Sequence, residues 1–202
     1  APRAPICRYV GEFPAYINPG AHDVIELSLA EIATAMGGQL SDGSDSQRRL
    51  SASSVQTDSR LNTPGSIFFA LRGETTDGHL FAAKALENGA ALVIAERPLD
   101  LDVTQIIVHD GVAALQALAR FVVAAVRGKG ELKVVAVTGS NGKTTTKNML
   151  RSILQSVGET VAPQGSFNND VGAPITMLQV SDATKFLVVE MGADGIGDIA
   201  RL

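Results

Sequence analysis

The sequence predicts an α/β protein built as two successive domains with mostly parallel sheets: a small α/β domain, then a P-loop-type parallel-sheet domain. Short apolar, β-branched runs alternate along the chain with longer segments of helical period. Glycine or proline punctuates the junctions between them. One run, VVAVTGSNGKTTTKNML at 134–150, passes from a strand through a glycine-flanked lysine into a helix.

The first periodic element is IELSLAEIATAMGG, where Leu29, Ile32, Ala33 and Met36 fall at helical spacing and Gly37-Gly38 ends the pattern. Ser28 stands at the N-cap, with Glu31 three residues later in the capping-box position. After the polar stretch SDGSDSQRR come two strand-like segments, SVQTDS and SIFFAL, separated by the turn signal NTPG. HLFAAKALENGA reads as a helix closed by Gly89, ALVIAE as a strand stopped at Pro98, QIIVHD as another strand, and GVAALQALARFVVAAVRGKG as a long amphipathic helix. KVVAVTG, the helix TTTKNMLRSILQSVG, a loop around APQGSFNNDVG and the strand KFLVVE complete the pattern. The polar RGKGE stretch at 127–131 marks the domain boundary. The expected organisation is an irregular extension over 1–23, a first domain over 24–110, a connecting helix and linker over 111–130, and a second domain opening at 131.

Composition excludes several classes of function. In 202 residues, 45% apolar content and 20 glycines describe a globular chain of one or two cores. The net charge of −4 supplies neither a field for nucleic acid nor a polybasic membrane patch, so a phosphate ligand must be bound locally. A single cysteine, Cys7, builds neither a disulfide framework nor a cysteine metal site, which fits a reducing, cytoplasmic setting. No apolar run reads as a membrane span, and residues 1–22 lack the continuous apolar core of a signal peptide.

The stretch at 138–145 carries the chemistry. A strand, a tight glycine turn and a helix opening at Lys143-Thr144-Thr145 would aim backbone N–H groups and the positive helix end at one point. Gly139, Ser140, Asn141, Gly142, Lys143, Thr144 and Thr145 are expected to bind ATP or GTP, with Lys143 against the β- and γ-phosphates and the Thr144 hydroxyl on Mg²⁺. The usual phosphate loop has a further glycine where this chain has Val137, so the loop is short, GxxGKT. Glu190 ends the strand KFLVVE, the place where an acid orients the metal. Asn168 and Asn169 lie in a Gly/Pro-bounded loop, where asparagines are also ordinary turn formers.

In this order and separation, TGSNGKTTTK, GSFNNDVGAPITML and VVEMGA resemble the Mur ligase family, the ATP-dependent ligases that assemble the peptide of bacterial cell-wall precursors. The short loop is that family's own form of the phosphate site. Upstream, QTDSR and SIFFALRGETTDGHLFAAKALENGA are similar to the family's uridine-nucleotide-binding domain, so the resemblance covers about residues 24–202. It implies that Asp58, Ser59 and Arg60, the loop Gly73 to His79 with Thr75 and Thr76, and Asn168 and Asn169 face a UDP-linked substrate. It implies that Lys143 and Glu190 are catalytic and that Thr144 and Glu190 hold Mg²⁺. His22, His79 and His109 receive no catalytic role, although His79 is expected near the uridine site.

Within the family, the pattern GSFNNDVGAPITML is most similar to the members that join D-alanyl-D-alanine to UDP-N-acetylmuramoyl-tripeptide through an acyl phosphate. The resemblance implies ATP and Mg²⁺ as cofactors, no nucleic-acid partner, no membrane insertion and a monomer. Family chains are more than twice as long, so the second domain is expected to be incomplete here and the isolated stretch inactive. Three alternatives remain open: the related ligase that adds a diamino acid as the third residue, a P-loop kinase or GTPase, and a non-catalytic UDP-sugar-binding module. Val137 and the TDSR and GETTDGH segments count against the kinase or GTPase.

Overall fold

The computed structural model describes residues 25–41, 45–73, 75–163, 165 and 167–192; the extension over 1–23 lies outside them. The chain divides into two compact units after Ala114.

In the first unit, β1 (Ile25–Ser28) leads directly into α1 (Leu29–Met36). The sequence read IELSLAEIATAMGG as one periodic element with its N-cap at Ser28; its first four residues, Ile25–Ser28, pair antiparallel with β3 (Arg49–Ala52). The capping box is present: the Ser28 hydroxyl accepts from the Glu31 amide at 3.2 Å, and the Glu31 carboxylate accepts from the Ser28 amide at 2.8 Å. Gly37 closes the helix in the left-handed region.

A five-stranded sheet follows in the order β2-β7-β6-β5-β4, from β2 (Gln39–Leu40), β4 (Val55–Gln56), β5 (Ser66–Phe69), β6 (Ala90–Ala95) and β7 (Gln105–Ile107). β4, β5, β6 and β7 are mutually parallel, and β2 pairs antiparallel at the edge. Every residue of β5 is buried, as expected of a parallel strand covered on both faces. Ala82 and Ala85 of α2 (Ala82–Glu87) belong to a core cluster with Phe68, Ala90, Val93 and Ala95, where small side chains let the helix lie close to the sheet.

This parallel arrangement fixes where a ligand can meet the unit. The segments following β4, β5, β6 and β7 all leave the sheet at its carboxyl edge, the usual binding edge of a parallel sheet. TDSR follows β4, and RGETTDGH follows β5.

The unit division falls within α3 (Gly111–Gly128). Asp110 caps its start by accepting from the Val112 and Ala113 amides, both at 3.0 Å. By length and composition α3 is apolar enough to cross a membrane, contrary to the expectation that no run approaches a span. The reason is that Arg120 and Arg127 are its only charged residues. Ala114, Leu115, Leu118, Ala119 and Val122 nevertheless form a buried stripe at helical spacing, the pattern of a core helix.

The second unit holds a three-stranded parallel sheet in the order β8-β10-β9: β8 (Lys133–Val137), β9 (Thr160–Val161) and β10 (Phe186–Glu190). α4 (Lys143–Leu154) connects β8 to β9, and α5 (Gly172–Met177) lies between β9 and β10. The sequence places Gly172 to Pro174 in a loop; they instead open α5, and Pro174 sits in its first turn, where a missing N–H costs nothing. Leu187, Val188 and Val189 of the central strand are buried, whereas Val134 of β8 and Met149 and Ile153 of α4 are exposed.

Candidate functional site

Register places the acid beside the glycine loop. Glu190 is the parallel partner of Val137, the last residue of β8, so the carboxyl end of one strand adjoins the start of the loop that leaves the other. Val137 is thus strand, and the turn begins after it. Gly139 and Gly142 have φ of 143° and 77°, in the left-handed region that favours glycine, although a Cβ would find open space at Gly142. The two glycines therefore serve backbone conformation, and a glycine at 137 has no turn to serve.

Lys143 opens α4, and its ammonium donates to the Gly139 carbonyl at 2.7 Å, folded over the loop it would share with a phosphate. The Thr144 hydroxyl donates to both oxygens of Glu190, at 3.0 and 3.2 Å. Glu190 is 1% exposed and also accepts from the Asn168 amide at 3.0 Å. Among the described residues no group of three or more His, Cys, Asp or Glu is placed to hold a metal. The hydroxyl and carboxylate of Thr144 and Glu190 do suit Mg²⁺, a hard cation that takes one or two protein oxygens and completes its shell with water and phosphate.

The two asparagines part company. Asn168 turns its side chain to Glu190. The Asn169 side-chain Oδ1 accepts from the Gly172 amide at 2.7 Å and the Val171 amide at 3.3 Å, securing the start of α5. That is a local turn role of the kind asparagine commonly fills.

Lys147, which the sequence reading passed over, is completely buried and donates to the carbonyls of Pro163 at 2.8 Å and Gly165 at 2.6 Å. Burial pushes its ammonium below the usual lysine range, and the charge of Glu190 opposes that shift. Its sequence signal was its place three residues after Thr144, on the same helix face, in a stretch polar enough to read as solvent-facing.

In the first unit, Asp58 accepts from the Arg60 amide at 2.9 Å and pairs with the Arg60 guanidinium at 2.7 Å. That side-chain hydrogen bond, ahead of the penalty of burial, holds the Asp58 carboxyl below its ordinary value. Ser59 is buried, and its carbonyl accepts from Asn88 at 2.8 Å. Thr75 and Thr76 are exposed, their hydroxyls 3.5 Å apart. Below them Gly73 donates to the Thr76 carbonyl at 2.9 Å, and Gly78 donates to the Leu71 carbonyl at 2.8 Å. A Cβ at Gly78 would run into that Leu71 carbonyl, so the close approach requires glycine.

His79 is buried with both ring nitrogens engaged: Nδ1 lies 2.5 Å from Asp77, and Nε2 accepts from the Glu96 amide at 2.9 Å. An acceptor at Nε2 makes Nδ1 the protonated nitrogen, so the ring is neutral and has no nitrogen left for a substrate. Arg97 meets the other Asp77 oxygen at 2.9 Å. Burial opposes ionisation of Asp77, but hydrogen bonds from the His79 amide and ring and from Arg97 outweigh it and hold the carboxyl far below the ordinary aspartate value.

The chain is similar to known proteins. The family model described as the Mur ligase middle domain matches residues 137–202, and the one described as the Mur ligase family, catalytic domain, matches residues 51–140. The chain is 40% identical over 199 residues to the UDP-N-acetylmuramoyl-tripeptide--D-alanyl-D-alanine ligase of Mycobacterium tuberculosis, a match covering 89% of this chain and 39% of that protein. Crystal structure I of MurF from Acinetobacter baumannii aligns with a TM-score of 0.77 at 34% identity, over 89% of this chain and 39% of that one. The MurF ligase of Thermotoga maritima, solved in complex with ADP, aligns with a TM-score of 0.62 at 36% identity, over 73% of this chain and 34% of that one. This chain thus spans about two fifths of the length of the curated relatives it matches. With both halves of residues 51–202 matched by models of one family, and with the relatives agreeing, the chain belongs to the Mur ligase family.

Proposed function

We propose that this chain belongs to an ATP-dependent ligase that joins D-alanyl-D-alanine to UDP-N-acetylmuramoyl-tripeptide, with residues 24–110 holding the uridine diphosphate and the domain opening at 131 holding ATP. The observation that carries the reading is the Thr144 hydroxyl set against the buried Glu190 carboxylate, at the end of a short glycine loop. The ADP bound to the Thermotoga maritima relative supports a nucleotide at this loop. The reading entails the cytoplasm as the place of action, where ATP is abundant.

Amide formation from a free acid in water is uphill, so the acceptor carboxylate must first be activated. A carboxylate oxygen attacks the γ-phosphorus, the bond to the bridging oxygen breaks, and ADP leaves. The dipeptide amine then attacks the acyl carbon, loses a proton, and inorganic phosphate departs. The nucleophiles belong to the substrates, which explains why no Ser-His or Cys-His arrangement is needed.

The residues manage charge. Two anions must meet in the first step, and Lys143, released from the Gly139 carbonyl, would swing onto the phosphates to screen their repulsion. The first-turn amides of α4 would add donors aimed at the same oxygens. Thr144 and Glu190 would hold Mg²⁺, which when bound would supply further charge neutralisation. Asn168 keeps the carboxylate turned to the loop. In the first unit, the exposed Thr75 and Thr76 hydroxyls and Arg60 would meet the uridine diphosphate, on a loop that Asp77 and His79 brace from below.

Phosphate release by the full-length protein, assayed with UDP-N-acetylmuramoyl-tripeptide, ATP and Mg²⁺, tests this. Release should require D-alanyl-D-alanine. Turnover indifferent to the dipeptide, or supported by a diamino acid acting on a shorter acceptor, would overturn the assignment.

A further inference from the structure

A lysine with no exposed surface is expensive to keep, and packing alone does not require it: a methionine fills a similar volume without desolvating an ammonium. What distinguishes Lys147 is its grip on two backbone carbonyls, Pro163 and Gly165, in the segment leading to Asn168. Gly165 stands at φ 65°, in the left-handed region, so the carbonyl that meets the ammonium is presented by a backbone that favours glycine. Asn168 then reaches Glu190 with its side chain at 3.0 Å and accepts from the Gly192 amide with its carbonyl at 2.8 Å. Glu190 meets Thr144, which returns to the same face of α4 as Lys147. Joined by the chain between Gly165 and Asn168 and by α4, these contacts link Lys147 to the carboxylate and the hydroxyl of the candidate metal site.

We propose that Lys147 is a positioning residue: by clamping Pro163 and Gly165 it sets Asn168, and through Asn168 it holds the Glu190 carboxylate toward Thr144 and the phosphate loop. The catalytic consequence rests on the ligase reading, whereas the clamp itself does not. A carboxylate displaced by about 1 Å costs phosphoryl transfer about 100-fold while leaving nucleotide contacts largely in place.

The test uses the full-length protein with Lys147→Met and, because an apolar replacement can compromise folding, Gly165→Ala, which disturbs the gripped carbonyl and leaves the lysine intact. Both should lower kcat for dipeptide-dependent phosphate release by about 100-fold with KM for ATP within about threefold. Amide exchange at Gly192, whose N–H is held by the Asn168 carbonyl, should rise at least about tenfold in both, while exchange in β8 and β10 stays at the wild-type level. A folded variant with wild-type kcat and unchanged exchange at Gly192 would overturn the proposal, as would a loss confined to thermal stability. If the wild-type protein shows no dipeptide-dependent release, the ligase reading fails, and exchange at Gly192 still decides whether Lys147 sets Asn168.

Discussion

The two units bury titratable side chains in opposite ways. His79, in the first, is enclosed as a neutral ring whose nitrogens are taken up by Asp77 and the Glu96 amide, and the groups left for a ligand, Thr75 and Thr76, stand exposed above it. Lys147 and Glu190, in the second, are buried against carbonyls, a hydroxyl and an amide, and one of them is itself a candidate ligand for the metal. The first arrangement supports a loop without entering its chemistry. The second places them in low dielectric, where the effect of a charge on a phosphate is large.

The contrast is broken most directly at Lys143. Lys143→Ala in the full-length protein should lower dipeptide-dependent phosphate release at least about 1000-fold and leave affinity for the UDP substrate within about twofold, measured by calorimetry. Loss of both would mean that the units do not bind their ligands separately. Next comes Glu190→Gln, which keeps shape and removes charge. ADP titrations should then lose their strengthening by Mg²⁺, and turnover should fall about 100-fold, with little change in far-UV dichroism.

Asp77→Asn examines the other side of the comparison and should act on stability alone. Removing a carboxylate that serves His79 and Arg97 should cost about 1–3 kcal/mol, read as a lower thermal midpoint, with kcat unchanged in the molecules that remain folded. The pH dependence has a definite sign. Because the folded-state pKa of Asp77 is depressed, its stabilisation is complete above the unfolded value of about 4 and is lost as pH falls below it. The variant should therefore lose part of the wild-type destabilisation between about pH 4 and 2. The smallest effect is expected at Arg60, which is mostly exposed. Arg60→Ala should change stability by less than about 0.5 kcal/mol; a drop in UDP-substrate affinity without a shift in midpoint would assign it to the ligand.

Local pattern explains what the sequence revealed. The Ser28–Glu31 box, the strand-turn-helix at 133–154 and the acid ending β10 each depend on residues a few positions apart, so their chemistry is legible in the chain. What escaped depends on partners distant in sequence. Lys147 looks solvent-facing in TTTKNMLRS until Pro163 and Gly165 arrive from another loop. β3 and β9 hold four and two residues, too few to show a period, and need β1 and β10 to exist. His79 stands where a ligand contact was expected, but Glu96, seventeen positions on, occupies its second nitrogen.

The pairing of Val137 with Glu190 also bears on which genetic changes this site can survive. Strand side chains alternate faces with a period of two, so inserting or deleting one codon inside β8 or β10 would turn Glu190 away from Thr144 or slide it past the loop. The same change in the turn between α4 and β9 would leave that pairing untouched. Length variation among natural or evolved versions should therefore collect around residues 155–159 and be absent from the two strands that measure out the distance between hydroxyl and carboxylate.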